Sequence, residues 1–226
     1  MESRAEIKAA RTPSEYVANL GANLPPVGRS LFDELVGRAR PSGWEIPFPF
    51  SKLIASLSRA AGCKSPCSRT VMIPLGRSLQ RSAAAPAFFK YPRIVAAFTS
   101  DTAVAGNVPL LKDRLYLGFQ EKANLIEVIS FNEMAGRFEF QLVKNYGAGM
   151  TPKVFYANRA VCVSCHQNQA PIFSRQVWDE TNANPEIADR LAKAQANFDG
   201  LPIRIGVDVP NAIDDSTDRE IGRAHV

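Results

Sequence analysis

Hydrophobic positions along the chain recur first at helical and then at extended spacing, and the change of period predicts the order of its elements. Between Pro13 and Val36, Tyr16, Leu20 and Leu24 and then Leu31, Phe32, Leu35 and Val36 fall on helical repeats broken at Pro25-Pro26, which predicts two short helices. Over 41–50, Pro41, Pro47 and Pro49 with Gly43 predict an extended connector, because proline removes a helical donor. From Ser51 to Ala61, Leu53, Ile54, Leu57 and Ala60 share one face, the pattern of a short amphipathic helix.

The period then falls to two. Residues 93–100 carry Ile94, Val95, Ala96, Ala97 and Phe98, and 114–120 alternate Leu115, Leu117 and Phe119 with Tyr116, Gly118 and Gln120. A further apolar run covers 125–131, and 137–144 alternate Phe138, Phe140 and Leu142 with Glu139 and Gln141. Asn132 to Gly136 has the length and glycine content of a hairpin turn, and 154–156 predict one more short strand. The resulting expectation is an α+β fold, with N-terminal helices on one face of an antiparallel sheet of about four strands. Farther on, Pro185 to Phe198 predicts an amphipathic helix through Ile187, Leu191 and Ala194, and 201–209 are short, apolar and β-branched.

Composition narrows the class without naming a function. At 226 residues, 46% hydrophobic and 22% charged, the chain can bury a core of its own. The net charge of +5 is spread without a Lys/Arg run, which argues against nucleic-acid binding and leaves docking to an acidic redox partner or simple solvation. No stretch reaches the roughly 18 to 20 apolar residues of a membrane-spanning helix.

Candidate chemistry concentrates at Cys162-Val163-Ser164-Cys165-His166, a C-x-x-C-H motif. On a helical turn, Cys162 and Cys165 share a face and can reach two vinyl groups of one porphyrin while His166 turns an imidazole nitrogen to the iron. A zinc knuckle, a thioredoxin-like redox pair or a structural disulfide would use the same cysteines. Zinc needs four ligands, and the remaining candidates are Cys63, Cys67 and His225, without finger-like spacing. Cys63 and Cys67 flank Lys64-Ser65-Pro66, whose turn chemistry predicts a small disulfide loop, with two free thiols as the alternative. The terminal string over 220–226 resembles the translation of a sequencing adapter and is set aside, so the natural chain is expected to have been cut near Arg219, with His166 its sole native histidine.

The segment from Arg159 through Cys162, Cys165 and His166 to Gln167-Asn168-Gln169-Ala170-Pro171-Ile172-Phe173-Ser174 resembles the haem segment of bacterial c-type cytochromes that carry long non-haem N-terminal regions. The resemblance covers the last quarter of the chain and rests on the C-x-x-C-H. It implies one covalent haem c, with Cys162 and Cys165 as thioether attachment points and His166 as proximal ligand. It also implies electron transfer with a redox partner protein, in the periplasm or another extracytoplasmic compartment. Methionine is the usual sixth ligand and in small cytochromes c follows the motif; here none does, and Met150, twelve positions before Cys162, is the candidate. Its alternative is an ordinary core or loop methionine.

An open sixth position would instead make a haem peroxidase-like enzyme, and a β-rich binding module with a disulfide or metal staple is the non-redox alternative. Arg29 and Arg77, in the echoed entries Pro26-Val27-Gly28-Arg29-Ser30-Leu31 and Pro74-Leu75-Gly76-Arg77-Ser78-Leu79, could reach haem propionates or merely start two similar helices. Pro171 could accept from the proximal imidazole, and Phe173 and Trp178 could wall the porphyrin or serve as core aromatics. The expected organisation is an α+β N-terminal region over 1–156, a mostly helical haem-binding segment over 157–219 and the adapter string over 220–226. The start at Met1 lacks the apolar core of a secretory signal, so the true N-terminus is expected upstream.

Overall fold

The computed structural model describes residues 28–39, 46–64, 67–75, 81–98, 111, 114–157 and 181–203. Two helices come first, α1 (Leu31–Ala39) and α2 (Phe50–Ala60). The strands β1 (Ser68–Ile73), β2 (Arg93–Phe98), β3 (Leu115–Gln120), β4 (Leu125–Asn132), β5 (Arg137–Lys144) and β6 (Lys153–Tyr156) form one sheet in chain order, each antiparallel to the next. Helix α3 (Pro185–Ala194) and a hairpin of β7 (Asn197–Phe198) and β8 (Leu201–Pro202) follow.

One face of the sheet is the core. Cross-strand register aligns Met72, Ile94, Phe119, Ile126, Val143 and Val154 in one row and Ala96, Leu117 and Val128 in the next. Against them pack Leu31, Phe32, Leu35 and Val36 of α1 and Phe50, Leu53, Ile54 and Leu57 of α2, with Leu191 of α3 and Phe198 of the hairpin in the same cluster. Phe119 is the hub: its ring stacks on Phe50 at 5.1 Å and meets Tyr146 edge-on at 5.3 Å. Each fully buried aliphatic or aromatic side chain contributes about 1.5 to 3 kcal/mol. The cluster is therefore what holds the helices to the sheet.

The fold departs from the expected one. Instead of about four strands, six are hydrogen-bonded, and among the described residues only three short α-helices accompany them. β1 escapes the period-two signal because Arg69, Val71 and Ile73 on one side contrast little with Thr70 and Met72 on the other, and pairing with β2 rather than amphipathicity stabilises it. Nor is the mostly helical haem segment seen: within 157–219 the described part, 181–203, holds one ten-residue helix and a two-stranded hairpin. Its apolar Phe198 and Leu201 pair across that hairpin rather than continuing the helix.

The hairpin also completes α2. Pro49 at the N-cap has no side chain to offer. The Asp199 carboxylate accepts the Phe50 N–H in its place, and the Asp199 carbonyl accepts the Ser51 N–H at 3.4 Å. Asp199 and Gly200 hold this position through a two-residue turn with both φ positive, 50° and 82°, a conformation that aspartate and glycine tolerate. Burial raises the Asp199 carboxyl above its ordinary value and Glu121 adds to the rise, while the Phe50 N–H opposes both. Burial likewise raises the Tyr146 phenol, with Asp199 second, so Tyr146 stays protonated and donates to the Pro47 carbonyl at 2.7 Å.

A carboxyl with a raised folded-state pKa binds its proton more tightly when folded, so its contribution to stability is present at low pH and is lost as pH rises through the window above about 4. Asp199→Asn keeps the turn and the acceptor but removes the titration. Urea unfolding at a series of pH values should show a flatter stability profile above pH ~4 for the variant than for the parent; parallel profiles would refute the assignment.

Candidate functional site

The first turn of α1 is polar and buried, and the sheet answers it. Ser30, Asp33, Gln141 and Tyr156 are at most 4% exposed. Ser30 Oγ accepts the Asp33 N–H at 3.2 Å, which caps α1, and donates to Gln141 Oε1 at 2.7 Å. Gln141 Nε2 donates to Asp33 Oδ1 at 2.9 Å, and the Tyr156 hydroxyl donates to Asp33 Oδ2 at 2.6 Å. The ring closes where the Ser30 N–H donates to the Tyr156 hydroxyl at 3.3 Å. Beside it, Phe32 N–H donates to Ser130 Oγ at 2.8 Å, and Arg137 Nε donates to the buried Glu139 at 2.9 Å. Asp33 lies in the first turn, where the helix dipole favours an acidic side chain.

Register assembles this ring. Gln141 lies opposite Tyr156, Ser130 opposite Glu139 and Asn132 opposite Arg137, so the polar positions of β4, β5 and β6 gather at one end of the core face. Consequently Glu139 and Gln141 turn toward α1, whereas Phe138, Phe140 and Leu142 turn to the other face of the sheet. The Ser30-x-x-Asp33 spacing is a capping signal in the sequence. Its partners on β5 and β6 are more than a hundred residues away, and no local pattern identifies them.

Tyr156 ends β6, and the Ala157 N–H still donates to the Phe140 carbonyl at 2.8 Å. Cys162 follows five residues later, so at about 3.3 to 3.6 Å per residue it starts no more than about 18 Å from this anchor. No protein-family model matches the chain, and no curated protein or solved structure matches it.

Cys162, Cys165 and His166 themselves lie outside the described residues, as do Arg77, Pro171, Phe173 and Trp178. Met150 is 48% exposed in the loop before β6, its N–H donating to the Gly147 carbonyl at 3.1 Å. It therefore sits at the opposite end of β6 from the exit toward the motif. Arg29 is exposed immediately before the Ser30 cap. Cys63 and Cys67 are bonded to each other, with Cα atoms 6.1 Å apart, and join the end of α2 to the start of β1. Among the described residues no group of three or more Cys, His, Asp or Glu is placed to hold a metal ion, and no helix is long and apolar enough to cross a membrane.

In chemical terms the polar ring is an anchor. It satisfies a buried carboxylate and fixes the strand that leads to the C-x-x-C-H. Tyr156→Phe should cost about 1.5 to 3 kcal/mol, the range for a buried hydrogen bond to a charged group. A double-mutant cycle with Asp33→Asn should show coupling between the two sites, and additive costs by urea unfolding would contradict the shared ring. The disulfide closes a loop of only four residues' separation. On chain-entropy grounds its loss in Cys63→Ser/Cys67→Ser should lower stability by about 2 kcal/mol, measured the same way.

Proposed function

We propose that the chain is an extracytoplasmic monohaem c-type cytochrome-like protein that holds haem c through Cys162 and Cys165, with His166 as proximal ligand, and passes electrons to a redox partner protein. The observation that carries this reading is the donor set itself: two thiols and an imidazole at C-x-x-C-H spacing suit thioether attachment and one axial bond, and the other two cysteines, Cys63 and Cys67, are bonded to each other. When bound, haem supplies one-electron redox chemistry at the iron.

Two further features support it. The Cys63–Cys67 bond belongs to an oxidising compartment, which is where c-type attachment takes place. The end of β6, held by the Ala157 N–H on the Phe140 carbonyl, limits how far a redox centre five residues on can range. Met150 remains the proposed sixth ligand; its exposed thioether would be free to turn to the iron.

Expression behind a supplied signal peptide with the c-type maturation system should give a pyridine haemochrome spectrum of one covalent haem per chain, absent from Cys162→Ser/Cys165→Ser. No covalent haem in the parent under those conditions would overturn the proposal. In the haem-bearing protein, Met150→Ala should abolish the weak red charge-transfer band of Met-to-iron ligation; its persistence would remove Met150 from the site.

A further inference from the structure

Gln120, buried at the end of β3, ties two surface turns together. Its Oε1 accepts the Ala123 N–H at 2.8 Å, capping the one-turn 3-10 helix Glu121–Ala123, and its Nε2 donates to the Tyr91 carbonyl at 2.9 Å. The Tyr91 turn is closed in its own right, because the Lys90 and Tyr91 N–H groups both donate to the Ala87 carbonyl at 3.0 Å. Gln195, at the C-cap of α3, donates to the Lys90 carbonyl at 2.9 Å. Elements remote in sequence therefore meet at one fixed turn.

Each element brings a cation to the rings of that turn. Lys122 Nζ lies 4.1 Å and Lys90 Nζ 5.4 Å from the centre of the Tyr91 ring, and the Arg190 guanidinium of α3 lies 3.7 Å from that of Phe89. All three cations are exposed. Among the described residues no carboxylate stands within ion-pair distance of them: Asp189 on α3 pairs with Lys193, and Glu121, next to Lys122, acts on Asp199. Two ammonium groups gathered on one ring repel each other, and a shared anion relieves that repulsion. Because the rings fix where the charges stand, an anionic partner orders fewer side chains when it binds.

We propose that Lys90, Lys122 and Arg190 form a docking surface for an acidic stretch of another protein, which sets Asp and Glu carboxylates against the three cations. The guanidinium fork of Arg190 suits a carboxylate, and each lysine meets one as a point charge. A nucleic-acid strand fits this surface less well, since it stacks its bases on open rings and here the Tyr91 and Phe89 rings already carry cations. The docking uses none of Cys162, Cys165 and His166. It therefore stands or falls apart from the haem reading.

Poly-L-glutamate is the probe, titrated into the isotope-labelled full chain at low ionic strength. Amide shifts in the nuclear magnetic resonance spectrum should concentrate over 89–92, over 121–123 and around Arg190. By calorimetry, Lys90→Gln/Lys122→Gln/Arg190→Gln should weaken binding about tenfold or more. The comparison variant Lys52→Gln/Arg59→Gln/Lys64→Gln removes the same charge from exposed cations of α2 and the turn after it, with no described ring beneath them. Its loss should stay below about threefold. If circular dichroism shows the first variant unfolded, Lys122→Gln against Lys52→Gln makes the same comparison with single changes. Equal losses in the paired variants would reduce the effect to net charge and overturn the proposal. So would shifts centred elsewhere, no binding by the parent chain, or tighter binding of a single-stranded oligothymidylate of matched charge.

Discussion

The first turn of α1 must be buried while it is polar, and the rest of the structure follows from how that is resolved. Unsatisfied groups at a buried helix start would cost about 1 to 3 kcal/mol each. Gln141 and Tyr156 remove the cost by closing a ring with Ser30 and Asp33. Their position is a statement about register: a slip of one residue in β5 would present Phe140 to Asp33 in place of Gln141 and turn every β5 side chain to the opposite face. The ring thus selects one pairing of β4, β5 and β6 from those that hydrophobicity alone would allow.

That selection explains the two-sided character of the sheet. An antiparallel sheet can leave one face in water when polar and apolar residues alternate cleanly. Here the polar positions of β5 are consumed on the core side, so its aromatic positions are left for the outer side. Gly118 belongs to the same outer face: a Cβ there would collide with the guanidinium of Arg93, which crosses it to reach Glu127 at 2.7 Å. A close approach of that kind needs glycine, and it lets a charged pair lie flat on the outer face.

Much of the element order was legible in the sequence, and the faces were less so. The pattern of Leu53, Ile54 and Leu57 marks α2 to within a residue, and the alternation of Leu115, Leu117 and Phe119 points those side chains into the core, where they lie. The same alternation in β5 leaves open which face meets the helices, because period-two patterning tells which residues share a side and not which side is covered. Long-range polar pairing decides that, and Asp33 and Gln141 are 108 positions apart. Asp199 was illegible for a related reason: it caps a helix 149 positions away, in place of a proline that cannot. The C-x-x-C-H stands out in the sequence by its spacing alone, and it lies outside the described residues.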